Sequence, residues 1–120
     1  MKRAEAVKRI QDERERQVIE EGYDDSHDNQ YKRGELVLAS KAYFEVSVDP
    51  SKTERPPYWP WDRIYWKPKD KLRNLERSGA LLLAEKARRT RFQDFEFTEI
   101  NRQMELILNM MENIDVPKTV

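Results

Sequence analysis

The chain has 120 residues, a length that suits one domain with one core. Lys plus Arg and Asp plus Glu each total 23, so the formal net charge is zero and no long-range field gathers nucleic acid or anionic membrane. The absence of cysteine excludes disulfides, thiolate zinc sites and cysteine nucleophiles, and no apolar run approaches the roughly 20 residues of a membrane helix.

From Arg3 to Glu21, Ala4, Val7, Ile10, Gln17 and Val18 recur at helical spacing among charged residues, which predicts an amphipathic helix closed by Gly22. Gly22 to Arg33 then reads as a polar connection centred on Asp24-Asp25-Ser26-His27-Asp28-Asn29. Gly34-Glu35-Leu36 opens a second helix, with Leu36, Ala39 and Tyr43 on one face, running to about Glu45. Val46 to Lys69 holds five prolines and all three tryptophans and is predicted as a long irregular segment. Asp70 caps a third helix, whose stripe of Leu72, Leu75, Gly79, Leu82 and Leu83 reaches Arg89 or Thr90. After Phe92, Phe95 and Phe97, Thr98 is expected to cap a fourth helix carrying Ile100, Met104, Ile107, Met111 and Ile114, with Pro117 marking its end. The expected fold is therefore all-α: a compact bundle of about four helices with the proline and tryptophan loop packed across it.

Three polar constellations invite a functional reading. Glu20, Glu21, Asp24, Asp25, His27, Asp28 and Glu35 gather around the first connection, where facing carboxylates suit Mg²⁺, although an acid-rich solvated turn needs the same residues. The segment from Pro56 to Pro68 places Trp59, Trp61 and Trp66 beside Lys67 and Arg73, so that rings can stack on a base while cations meet phosphate. The same tryptophans also suit a lid that completes the core. Glu96-x-x-Glu99 with Glu112-x-x-Asp115 formally satisfies the paired acidic pattern of MazG-type nucleotide pyrophosphohydrolases. One continuous helix would hold Glu99 and Glu112 roughly 20 Å apart, which argues against convergence. The basic run Lys86, Arg88, Arg89, Arg91 suits a helix C-terminus better than a nucleic-acid stripe.

Glu13-x-x-Arg16-Gln17, Glu21-Gly22-Tyr23, His27-Asp28, Gly34-Glu35-Leu36, Trp59-Pro60-Trp61-Asp62, Trp66-Lys67-Pro68 and Gly79-Ala80-Leu81 together resemble small phage and prophage proteins without an assigned function. The resemblance spans roughly Ile10 to Ala87. It departs at Tyr23, where Trp is expected, and at Asn29, where a second Asp is usual. Residues 1–91 then form a family-like core within a single domain 1–120, and 92–120 a C-terminal helical extension and candidate oligomerisation element. What the resemblance implies is a phage accessory protein that manages nucleotides or blunts host immunity.

The leading expectation is a protein that binds a nucleotide or nucleotide-derived immune signal without cleaving it, with no cofactor. Trp59, Trp61 and Trp66 would stack, Lys67 and Arg73 would neutralise phosphate, and His27, Asp28 and Glu35 would bond ribose or base edges. One alternative is a Mg²⁺-dependent MazG-like pyrophosphohydrolase using Glu20, Glu21, Asp28, Glu35 and Glu85. Another is a protein-binding phage accessory factor that presents the methionine-rich fourth helix. A homo-oligomer in the cytoplasm is expected, with no membrane partner and no non-specific nucleic-acid binding.

Overall fold

A computed structural model describes residues 1–116. Its elements are α1 (Arg3–Glu21), α2 (Asp25–Asp28), α3 (Glu35–Val48), a 3₁₀ turn (Arg63–Tyr65), α4 (Lys71–Arg91) and α5 (Thr98–Glu112), with no strand among the described residues. The four long helices match the expected bundle, and α2 is a single additional turn inside the first polar connection.

Local chemistry explains the boundaries. Gly22 adopts the left-handed conformation, φ 74°, that lets it terminate α1, and its N–H donates to the Gln17 carbonyl. Asp24 starts α2 by accepting from the His27 backbone N–H at 2.9 Å, and Asp70 starts α4 by accepting from the Arg73 N–H at 2.9 Å. α3 continues three residues past Glu45 to Val48, because Val46 and Ser47 are buried and the first proline of the loop comes only at position 50. The cap of α5 falls on Phe97, and Thr98 is its first helical residue, its N–H bonded to the Glu96 carboxylate. α5 ends at Glu112, ahead of Ile114, and Pro117 lies outside the described residues.

α4 is the central helix, with α3 packed along one side and α1 and α5 on the other. Small residues permit the close α3–α4 approach. Ser40 and Ser78, both buried, each donate to the other's backbone carbonyl at 2.8 Å, so neither hydroxyl is left unsatisfied at the seam. Gly79 plays the corresponding part against α1, where the Ile10 side chain fills the space a Cβ would need. The α1–α4–α5 core gathers Ile10, Leu75, Leu82, Ile100, Ile107 and Met111. The stripe of α5 is thus turned into the core shared with α1 and α4. None of the helices in the described residues is long and apolar enough to cross a membrane.

The second core cluster joins Leu36, Ala39, Tyr43, Trp59, Leu81 and Ala84 on the far face of α3 and α4, and here the irregular loop crosses the bundle. It is held by backbone and side-chain bonds at both ends. The Tyr58 hydroxyl donates to Glu45, the Trp66 indole to the Thr53 carbonyl at 2.9 Å, and Asn74 exchanges two bonds with the Lys69 backbone at 2.8 and 2.9 Å.

Candidate functional site: an aromatic cleft beneath the loop

Between the loop and the ends of α1 and α2 lies an open cleft of about 570 Å³. Its walls include Tyr23, His27, Tyr31, Trp59, Trp61 and Tyr65, with Arg14, Asp28, Arg55 and Asp62 among the charged residues. It shares Gln17, Tyr23, Trp59, Trp61, Tyr65 and Leu81 with a smaller recess of about 60 Å³, which adds Glu13, Arg16, Glu21, Lys67 and Arg77. The combined hollow falls within the size range of small-molecule sites.

The rings on its walls form a continuous series. Tyr23 stacks on His27 with centroids 4.6 Å apart, His27 meets Tyr31 at 5.2 Å, Tyr31 meets Trp61 at 5.1 Å, and Trp61 meets Trp59 edge to face at 5.3 Å. Such pairs each contribute about 0.5–1.5 kcal/mol beyond burial, enough to hold the rings in fixed orientations. Trp59 is only 6% exposed and packs on Tyr43 and Trp66 as well, so it serves the core and the cleft together. Its indole donates to the Asp62 carbonyl at 3.3 Å.

Arginine residues hold the polar frame. Arg91, at the end of α4, reaches Asn29 and Asp25 at 3.0 Å each and fixes the α2 segment against the bundle. Asp28, 1% exposed, accepts from Arg14 at 2.6 Å and lies 3.0 Å from His27 Nδ1, while His27 Nε2 lies 3.2 Å from the Tyr31 hydroxyl. Burial first, and the negative charges of Asp28 and Glu35 second, push the Tyr31 phenol above its ordinary value, so it keeps its proton. Glu13, 2% exposed, accepts from Arg16 at 2.8 and 3.1 Å and from Arg73 at 3.0 Å. Burial alone would raise its carboxyl, and these two guanidiniums overcome that and hold it below the usual range.

Gln17 Oε1, Trp61 Nε1 and Arg77 Nε are sealed from solvent and make no hydrogen bond, although Arg77 Nε lies 3.9 Å from the Glu13 carboxylate. Gln17 itself is only 5% exposed. By contrast, Lys67 and Arg55, also on the walls, are cations with no carboxylate within ion-pair distance among the described residues.

The residues expected from sequence to bind ligand divide into two sets. Trp59, Trp61, His27, Asp28 and Lys67 line the cleft or its recess. Trp66 instead borders a separate surface hollow with Thr53, Glu54, Arg55, Arg63 and Pro68, its ring packed on Tyr43 and its N–H spent on Thr53. Arg73 is committed to Glu13 and Glu76, and Glu35 accepts from the Arg33 backbone N–H, so neither reaches the cleft. Tyr23, Tyr31, Gln17 and Arg77 were not singled out as ligand residues from sequence.

The acids of the Mg²⁺ alternative are dispersed. Glu20 pairs with Arg16 on the surface, Glu21 lies 3.5 Å from Arg16 at the recess, Asp28 and Glu35 are bonded as described, and Glu85 is buried between Arg88 and Arg89. No three of the described Asp, Glu and His side chains are grouped so as to hold a metal ion. Glu99 and Glu112 occupy opposite ends of α5. Comparison with known proteins returns no match, whether to a family model, a curated protein or a solved structure. The functional reading therefore rests on the cleft itself.

Proposed function

We propose that this chain is a binding protein for a nucleotide-type small molecule, which it holds intact between the tryptophan loop and the ends of α1 and α2. The observation that carries the proposal is the open cleft walled by the ring series Tyr23, His27, Tyr31, Trp61 and Trp59, with Arg55 on its wall and Lys67 in the adjoining recess. Aromatic faces accept the flat face of a base, and Lys67 and Arg55 are the cations left to meet phosphate.

Commitment of the acids favours binding over hydrolysis. Asp28, Glu13 and Glu85 each have both carboxylate oxygens engaged by guanidinium or imidazole groups, and none is left free to orient a water. Taken with the resemblance to phage accessory proteins, the ligand class fits a host nucleotide signal that is sequestered.

Incubation with a panel of mononucleotides and cyclic dinucleotides, followed by denaturation and mass spectrometry of the released species, tests this reading. It predicts recovery of unaltered ligand at one equivalent per cleft. Replacing Trp61 with Ala removes a ring from the cleft wall and should weaken binding by about tenfold. Recovery of cleaved products, or of no nucleotide at all, would contradict it.

A further inference from the structure

The 3₁₀ turn has a second side. Asp62 and Tyr65 line the cleft, while Arg63 and Trp66, next to them in sequence, line the separate surface hollow, which measures about 510 Å³. The turn Arg63–Tyr65 is thus the ridge between the two spaces, closed by the Tyr65 N–H donating to the Asp62 carbonyl and the Trp66 N–H to the Arg63 carbonyl at 3.0 Å each. Arg55 lines both spaces. Trp66 is a fixed side of the hollow, because its ring packs on Tyr43 and Trp59 and its indole N–H is bonded to the Thr53 carbonyl. Most arginines of the chain are ion-paired. Arg33, Arg55 and Arg63 are those with no carboxylate within ion-pair distance among the described residues, and two of the three border this one hollow. Glu54, the carboxylate on its wall, pairs with neither.

We infer that the hollow is a second phosphate subsite, reached from the cleft past Arg55, so that the ligand carries at least two phosphates. The inference rests on the nucleotide-binding reading and narrows its ligand class. A guanidinium is a planar fork of five donors that meets two phosphate oxygens at once, so Arg55 has donors enough for a phosphate on either side. Arg63 then meets the second phosphate, inside the hollow. Two guanidiniums against one carboxylate leave the lining net positive, in a chain whose formal charge is zero. Both arginines are exposed, so each contact with phosphate is weak alone, and the gain comes from holding one ligand at both places. Trp66, expected from sequence to stack on a base, here supplies the apolar side of the phosphate hollow.

The test titrates adenosine 5′-monophosphate, adenosine 5′-triphosphate and a 5′-phosphorylated diadenylate by calorimetry, without divalent cation. The triphosphate carries its phosphates in one chain, and the diadenylate carries two joined through a ribose. At least one of these two should bind wild type about tenfold more tightly than the monophosphate, and which one does shows how the phosphates are spaced. Arg63→Ala should bring that ratio towards one. The Arg63 side chain makes no ion pair among the described residues, so circular dichroism of the variant should match wild type. Arg33→Ala removes an equally unpaired, exposed arginine that lines neither space, and should leave the ratio in place, which separates a built subsite from general attraction between charges. Equal affinity of all three ligands in wild type, a ratio that survives Arg63→Ala, or one that Arg33→Ala lowers as much, would overturn the subsite while leaving nucleotide binding in place. Failure of these nucleotides and of the wider panel to bind would overturn the binding reading and this inference with it.

Discussion

Replacing Glu13 with Gln tests how the bundle holds its polar frame. The carboxylate is buried between α1 and α4 and is the shared acceptor for Arg16 and Arg73, with Arg77 Nε at 3.9 Å. A glutamine of the same shape removes the charge and leaves three guanidiniums facing one neutral oxygen. Removing one member of a buried ion pair costs about 3–5 kcal/mol when the survivor is fully desolvated. Arg16 and Arg73 retain 28% and 34% of their side-chain exposure, so water takes up part of the deficit. The expected loss is therefore about 2–3 kcal/mol, a large share of a typical domain's stability. Urea unfolding followed by tryptophan fluorescence would show it as a lower midpoint with an unchanged slope. The same variant makes a pH prediction. The folded carboxyl lies below its ordinary value of 4.5, so Glu13 stabilises the fold above that pH and loses this contribution as pH falls through the folded value. Wild type should lose more stability than Glu13→Gln between pH 7 and pH 3. A loss below about 0.5 kcal/mol at pH 7, with parallel pH profiles, would refute the claim that this carboxylate ties α1 to α4.

Other expectations follow from packing and capping. A Cβ on Gly79 would stand 2.8 Å from Ile10 Cδ1 and 2.9 Å from Cγ1 and Cγ2, so Gly79→Ala should destabilise by about 1 kcal/mol net of its gain in helix propensity. In an Ile10→Ala background the same change should become neutral or stabilising, a coupling readable from a denaturation cycle. Asp70→Ala removes the side-chain cap of α4 and should lower the thermal midpoint by an amount equivalent to about 1 kcal/mol.

The sequence made the long helices legible because each carried both a periodic apolar stripe and a terminal signal, as in Gly22 after α1 and Asp70 before α4. One turn of helix has no period to detect, so α2 was hidden, although Asp24 three residues before His27 is the spacing of an N-cap. The cleft was half visible. Trp59 and Trp61 announced themselves by composition, and the position of Gln17 on the inner stripe of α1 was correct while its polar role was not apparent. Tyr31 sits four residues after His27, and Arg77 four after Arg73, spacings that place side chains on neighbouring turns without revealing what they face. The commitment of the acids was the least legible feature. Local pairs such as Glu13 with Arg16 and Glu85 with Arg88 are spaced to meet, but Arg73 lies 60 residues from Glu13 and only the α1–α4 packing brings it there. For the same reason the pairing of Arg73 with Glu13 and of the Trp66 N–H with Thr53 could not be read from spacing.

The indole N–H groups provide the most direct reading of the central claim, because the chain has three tryptophans and each is in a different state. Trp59 donates to Asp62 and Trp66 to Thr53, while Trp61 has no partner. In a ¹⁵N-labelled sample, with the three signals assigned by Trp→Phe substitution, saturation with adenosine 5′-monophosphate should shift the Trp61 indole resonance as the base packs against its ring, and leave that of Trp66 in place. A nucleotide-saturated protein in which the Trp61 signal stays still, or in which Trp66 alone responds, would show that the cleft beneath the loop is not where the ligand sits.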